Sequence, residues 1–177
     1  MERMVQTSPK VVLLTVWIVF AVFIVTLHLG CANRFSRGHD HKRLVRLYFE
    51  EGINQGNVNV ADEILASNFV KYNNGAKSEE VGPDVLKQAI TSHITNNTEY
   101  KFHIEDLLAE GDKVAVRWQW RSINVKYGKP KEVISQGISI FYFEDGKIEE
   151  LWQAFDVWSF NKQLGFEHIP PASTEGN

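Results

Sequence analysis

Residues 107–156 read LLAEGDKVAVRWQWRSINVKYGKPKEVISQGISIFYFEDGKIEELWQAFD. Within them Val114, Val116, Trp118 and Trp120 alternate with Ala115, Arg117, Gln119 and Arg121. A period of two puts the first set on an apolar sheet face and the second on a largely wet one. The turn signals EGD, YGKP and EDG divide the region. The pattern predicts four antiparallel strands, 100–109, 113–125, 133–143 and 147–156. An aromatic sheet face has to be covered, and the cover must come from elsewhere in the chain.

Upstream, Leu44, Leu47 and Tyr48, broadened by Val45 and Phe49, predict an amphipathic helix that stops near Gly52 or Gly56. A shorter helix over 60–66 follows, then NFVKYNNG as a brief strand running into an Asn-Gly turn. GPDVLKQAITSHITNN opens a third helix, with Pro83 preset for its first turn and Asp84 near the positive end of its dipole. Leu86, Ala89, Ile90, His93 and Ile94 share the inner side of that helix. Downstream, DVWSFNKQL begins a closing helix. The expected class is α+β: a cone-shaped, curved antiparallel sheet wrapped around N-terminal helices, with a mouth and an interior.

At 177 residues the chain holds one well-cored domain plus an extension. A formal charge of −3 with interspersed signs gives no broad basic footprint, so no nucleic-acid partner is expected. Cys31 is the only cysteine, which excludes an internal disulfide or a thiolate zinc cluster. HDH at 39–41 has no accompanying ligand cluster, and no metal is expected. No nucleotide or flavin motif is visible, so no cofactor is expected either.

VVLLTVWIVFAVFIVTLHL, from Val11 to Leu29, is nearly uninterrupted apolar sequence, close to the ~20 residues that span a bilayer as a helix. The reading is a tail at 1–10, a transmembrane or signal-anchor segment at 11–30, a linker at 31–39, the domain at 40–169 and a frayed tail at 170–177. A single-pass anchor carrying an extracytoplasmic domain is expected. Lipidation at Cys31, and secretion after cleavage, are the alternatives.

The order helix, helix, strand, helix and long-strand meander resembles the nuclear transport factor 2-like (cystatin-like) superfamily. Within it the chain resembles the SnoaL-like polyketide cyclases, over most of residues 40–166. The resemblance is carried by LLAEGDKVAVRW, ISIFYFEDGKIEELW and the spacing of Trp152, Asp156, Gln163, Leu164 and Gly165. It implies that Asp156 is the general acid/base for an intramolecular aldol closure. An acid in a semi-enclosed aromatic pocket has its charged form disfavoured and exchanges protons nearer neutrality. Trp152 and Ala154 share its strand face, so Trp152 is expected to wall the site. Asp is equally a favoured helix N-cap, and DVWSFNKQL gives it a helix to cap.

Tyr48 matches the oxyanion tyrosine of ketosteroid isomerase. The base of that enzyme falls on Asn73, an amide that cannot take a proton. Limonene epoxide hydrolase needs an acid and an arginine on a middle strand, where this chain has Arg117 and Arg121 but no acid. The expected pocket set is Tyr48, Tyr72, Asn73, His93, Trp118, Trp120, Gln136, Tyr142 and Trp152 around Asp156. Its ligand is a small apolar or carbonyl-containing molecule, and the chemistry is cofactor-independent cyclisation, aldol or isomerisation. Two alternatives are a binding module without turnover, and an assembly subunit of a membrane complex. In the second, Arg117, Gln119 and Arg121 form a docking face or join a homodimer through the sheet.

Overall fold

Two Asn-Gly and Asp-Gly pairs set the sheet's hairpins. Asn74 and Gly75 have φ of 48° and 86°, and Asp145 and Gly146 have 48° and 77°, the left-handed pairs that tight hairpin turns require. The computed structural model describes residues 37–166, and their compact unit begins at Gly38. The apolar stretch at 11–30 and the C-terminal tail lie outside the described residues. Among those described, no helix is long and apolar enough to cross a membrane.

Helix α1 covers 37–55, and its segment Leu47–Ile53 is π-helical. Then come α2 (Val60–Ile64), β1 (Leu65–Asn73), β2 (Ala76–Lys77), α3 (Asp84–Asn96), β3 (Asn97–Glu110), β4 (Lys113–Asn124), β5 (Lys131–Glu144), β6 (Lys147–Phe155) and α4 (Val157–Leu164). The strands lie in the order β2-β1-β6-β5-β4-β3. From β3 to β6 the sheet is the expected antiparallel meander. The expectation of a wholly antiparallel sheet fails at β1, which runs parallel to β6 with Lys71 opposite Leu151 and Tyr72 opposite Trp152. Between those strands the chain passes through α3 and the meander, a connection long enough to return parallel.

On β4 the alternation holds: Val114, Val116, Trp118 and Trp120 are buried, and Arg117 and Arg121 are exposed. The helices supply Val45, Phe49, Ile64, Leu86 and Ile90 to the same core, where they meet Phe69, Phe141, Ile148 and Leu151. Each such side chain contributes roughly 1.5–3 kcal/mol on burial. His41 of the HDH stretch stacks on Phe143 at 4.1 Å, a packing position.

Three amides fasten helices to the sheet. Asn54, at the end of α1, exchanges both backbone bonds with Phe102 of β3, at 2.9 and 2.7 Å. Asn97 donates to the His93 carbonyl at the end of α3 and accepts from Ser122 and Asn124 of β4. Gln163 of α4 exchanges two 2.8 Å bonds with the backbone of Ile134. The last β5–β6 pair is Gly137 with Phe155, so Gln163 replaces the departed strand at Ile134.

Candidate functional site

The π-helical turn of α1 presents Tyr48, Phe49 and Ile53 to the sheet. Such insertions widen the helix and are frequent at functional sites. Opposite them is a cavity of about 180 Å³, walled by Phe102 of β3, Trp118 and Trp120 of β4, Phe155 of β6 and Phe160 of α4. Trp120 stacks on Phe160 and on Phe102 at centroid distances of 5.6 and 5.9 Å. Seven of the lining residues carry benzene, phenol or indole rings, so the space accepts a flat apolar body. The volume lies below the ~300–1,000 Å³ of drug-sized sites, which limits the ligand to something small.

Into this cavity come Lys71 and Asn73 of β1, His93 of α3, Ser135 of β5 and Gln153 of β6. Lys71 shares its strand face with buried Phe69, which turns the lysine inward. Among the described residues no hydrogen bond or ion pair reaches its ammonium, and no carboxylate lines the cavity. Burial pulls Lys71 down to about 8. His93 lies edge-on to Phe102 and Trp120, both at 5.6 Å. Burial first, and the Lys71 charge second, pull His93 down to about 4, so it is a neutral imidazole. Burial pushes the Tyr48 hydroxyl above its ordinary range, leaving it a neutral O–H. Trp120 Nε1 and Ser135 Oγ are buried with no hydrogen-bond partner among the described residues. The Lys71 ammonium and the Trp120 indole are donors only, while the Tyr48 and Ser135 hydroxyls, the Asn73 and Gln153 amides and the neutral His93 both donate and accept; the lysine carries the one charge contributed by the described residues.

Of the residues expected in the pocket, Tyr48, Asn73, His93, Trp118 and Trp120 line this cavity. Four others, and Asp156 itself, do not. Tyr72 and Trp152 stack on each other at 3.8 Å on the opposite face of the sheet, where Trp152 is 41% exposed and donates its N–H to Glu150. Tyr142 lies under the Lys113 ammonium at 4.9 Å, and Gln136 is exposed, pointing away from buried Ser135. Asp156 is exposed and caps α4, accepting the Ser159 N–H at 2.9 Å. It is outside the cavity lining, whose β6 members are Gln153 and Phe155. The semi-enclosed aromatic setting expected around it is absent.

The reason is a bulge. Tyr142 pairs with Glu150, but Phe143 pairs with Ile148, so Glu149 is an extra residue in β6. Ile148 and Leu151, three apart, are consequently both buried, and Gln153 and Phe155 follow Leu151 inward. Sequence reasoning misses Lys71 because a lysine in a strand reads as outward. Its parity with Phe69 is the available signal.

The arginines of the wet face are occupied within the chain. Arg117 donates to Asp106 at 2.7 Å and Arg121 to Glu132 at 2.6 Å.

A mixed sheet with helices over one face, closed around an aromatic cavity, defines an α+β domain with an enclosed pocket. Residues 43–164 match the model of the SnoaL-like polyketide cyclases, and the chain belongs to that family. Among solved structures it is similar to TsrD from Streptomyces laurentii, with 23% identity, 72% of this chain and 96% of that chain covered, and a TM-score of 0.63. It is also similar to a protein from Jannaschia sp. CCS1 assigned as a SnoaL-like polyketide cyclase, with 18% identity, 76% and 95% covered, and a TM-score of 0.64. An LEH-like epoxide hydrolase of M. tuberculosis shares the fold at 20% identity, with 72% and 90% covered and a TM-score of 0.59. No curated protein sequence matches the chain significantly.

Proposed function

We propose that this SnoaL-like domain binds a small, flat carbonyl compound and moves a proton on it without a cofactor. The observation that carries the reading is the Lys71 ammonium, with no carboxylate beside it, in the lining of an aromatic cavity. Lys71 and Tyr48 offer N–H and O–H groups that a carbonyl oxygen accepts. In this reading the neutral His93 imidazole takes a proton from the carbon next to the carbonyl. Lys71 holds the oxygen as negative charge builds on it. That charge offsets the lysine's influence on His93 and raises the imidazole toward a useful range. Asp156 serves as the cap of α4, which carries Phe160 to the cavity.

The test is hydrogen–deuterium exchange at the α-carbon of 2-tetralone, followed by NMR. Exchange accelerated by the wild type, lost in His93→Gln and kept in Asp156→Asn, is the expected result. Loss in Asp156→Asn with retention in His93→Gln would return the chemistry to the acid. Binding of the ketone with no exchange would leave a ligand-binding module. The internally paired arginines weigh against the assembly reading.

The proposal extends to the membrane on the strength of the apolar run at 11–29 alone. It makes residues 11–30 a retained single-pass anchor with the domain outside the cytoplasm. Alkaline carbonate extraction and protease accessibility in intact cells test it. Release of full-length protein by carbonate, or protection of the domain, sinks it, and a mature chain starting at Cys31 or Asn33 shows processing instead.

A further inference from the structure

The cavity contains a cation and no anion. Lys71 is its only ionisable basic chain end, His93 and Tyr48 are its other titratable groups, and β3, β4, β5, β6 and α4 contribute none. A charge in such a place is ordinarily paired. No carboxylate within the described residues pairs Lys71. Tyr48, Trp120 and Ser135 each have an O–H or N–H to add to a negative oxygen held by that ammonium, whereas a second cation would meet its repulsion.

We propose that the ligand is bound as an oxyanion, with Lys71 as its counter-ion: the carboxylate of a small aromatic acid, or the enolate of an acidic 1,3-dicarbonyl. This rests on the reading of the cavity as a carbonyl site and adds the ligand's charge. The neutral His93 fits the assignment, because it takes no share of the anion and Lys71 alone discriminates charge. Deprotonation of Lys71 at about 8 sets where that discrimination fades.

The experiment uses two pairs of probes in tryptophan-fluorescence titrations of the full chain: 2-naphthoate against 2-naphthamide, and dimedone against its enol methyl ether. At about pH 6.5 the charged member of at least one pair should bind roughly tenfold tighter or better, the size of a charge-assisted bond. The responding pair identifies carboxylate or enolate. The preference should shrink by about pH 9.5, disappear in Lys71→Met and persist in Lys71→Arg. A near-ultraviolet circular-dichroism spectrum like that of the wild type shows that Lys71→Met is folded. Neutral members binding as tightly as charged ones in both pairs, or a preference surviving in Lys71→Met, overturns the proposal and leaves the carbonyl reading standing. Failure of all four probes to bind removes both.

Discussion

The indole of Trp118 lies across Gly137, its register partner on β5. A Cβ at position 137 would stand 2.6 Å from Cη2 of that ring and 2.7 Å from the Ala154 carbonyl oxygen. The same indole donates its N–H to buried Ser139 at 3.0 Å and forms part of the cavity wall. The glycine is therefore the space in which a cavity-lining tryptophan lies. Gly137→Ala should cost about 1–3 kcal/mol through forced displacement of the ring. Urea unfolding measures it, and an unchanged midpoint would show that the ring moves freely.

The two half-buried bases of the cavity make stability depend on pH in separate windows. His93 is held near 4 against its ordinary 6.5, so between those values the unfolded chain binds a proton that the folded chain refuses. Stability should rise with pH across that interval. Lys71, near 8 against 10.5, produces a second rise from about pH 8 to 10.5 by the same sign. Each step amounts to no more than about 3 kcal/mol, less where water reaches the group. His93→Gln should flatten the acid step and Lys71→Met the alkaline one. Denaturant melts at a series of pH values test both, and identical profiles in wild type and variants would contradict these assignments.

At Asp156 the two substitutions separate a cap from an acid. Asparagine caps as well as aspartate, whereas alanine leaves the Ser159 amide unsatisfied. Asp156→Asn should be nearly neutral in stability, and Asp156→Ala should cost about 1 kcal/mol. Equal stability of the two in thermal melts would mean that the carboxylate does no capping.

Gln163 supplies both hydrogen bonds of Ile134 at the point where β6 has ended. Gln163→Ala should expose that strand segment and accelerate amide exchange at Ile134, while Val116 in the sheet centre keeps its protection. Unaltered exchange at Ile134 would show that water or a neighbour substitutes for the amide.

Much of this organisation is legible from local pattern. Alternation on β4 places Trp118 and Trp120 inside because its period is uninterrupted, and helical spacing places Tyr48 and His93 on inner faces even though Tyr48 stands in the π-helical segment. The pattern fails on β6, where the extra residue Glu149 reverses the faces and carries Trp152 outward. It fails again at Lys71, where a lysine in a strand reads as outward although its parity with buried Phe69 turns it toward the cavity. Charge tells against burial in a strand unless the tertiary cavity is known. Asp156 is legible as a helix start, and its cap confirms that reading. Its expected chemistry rests on family likeness and has no burial behind it.

The strands of the meander find their partners a hairpin away, whereas β1 has only the two-residue β2 there and its longer partner, β6, lies beyond the whole meander. Asn74, at the tip of β1, accepts the amide of Phe155, 81 residues along the chain. Closing so long a loop is slow relative to zipping hairpins. Lys71 thus takes its place in the cavity only when β1 docks beside β6. During synthesis β1 emerges well before β6 exists to receive it. Until translation reaches the last strand, the nascent domain owns a cationic segment with nowhere to dock, and its ligand site is completed by the final act of assembly.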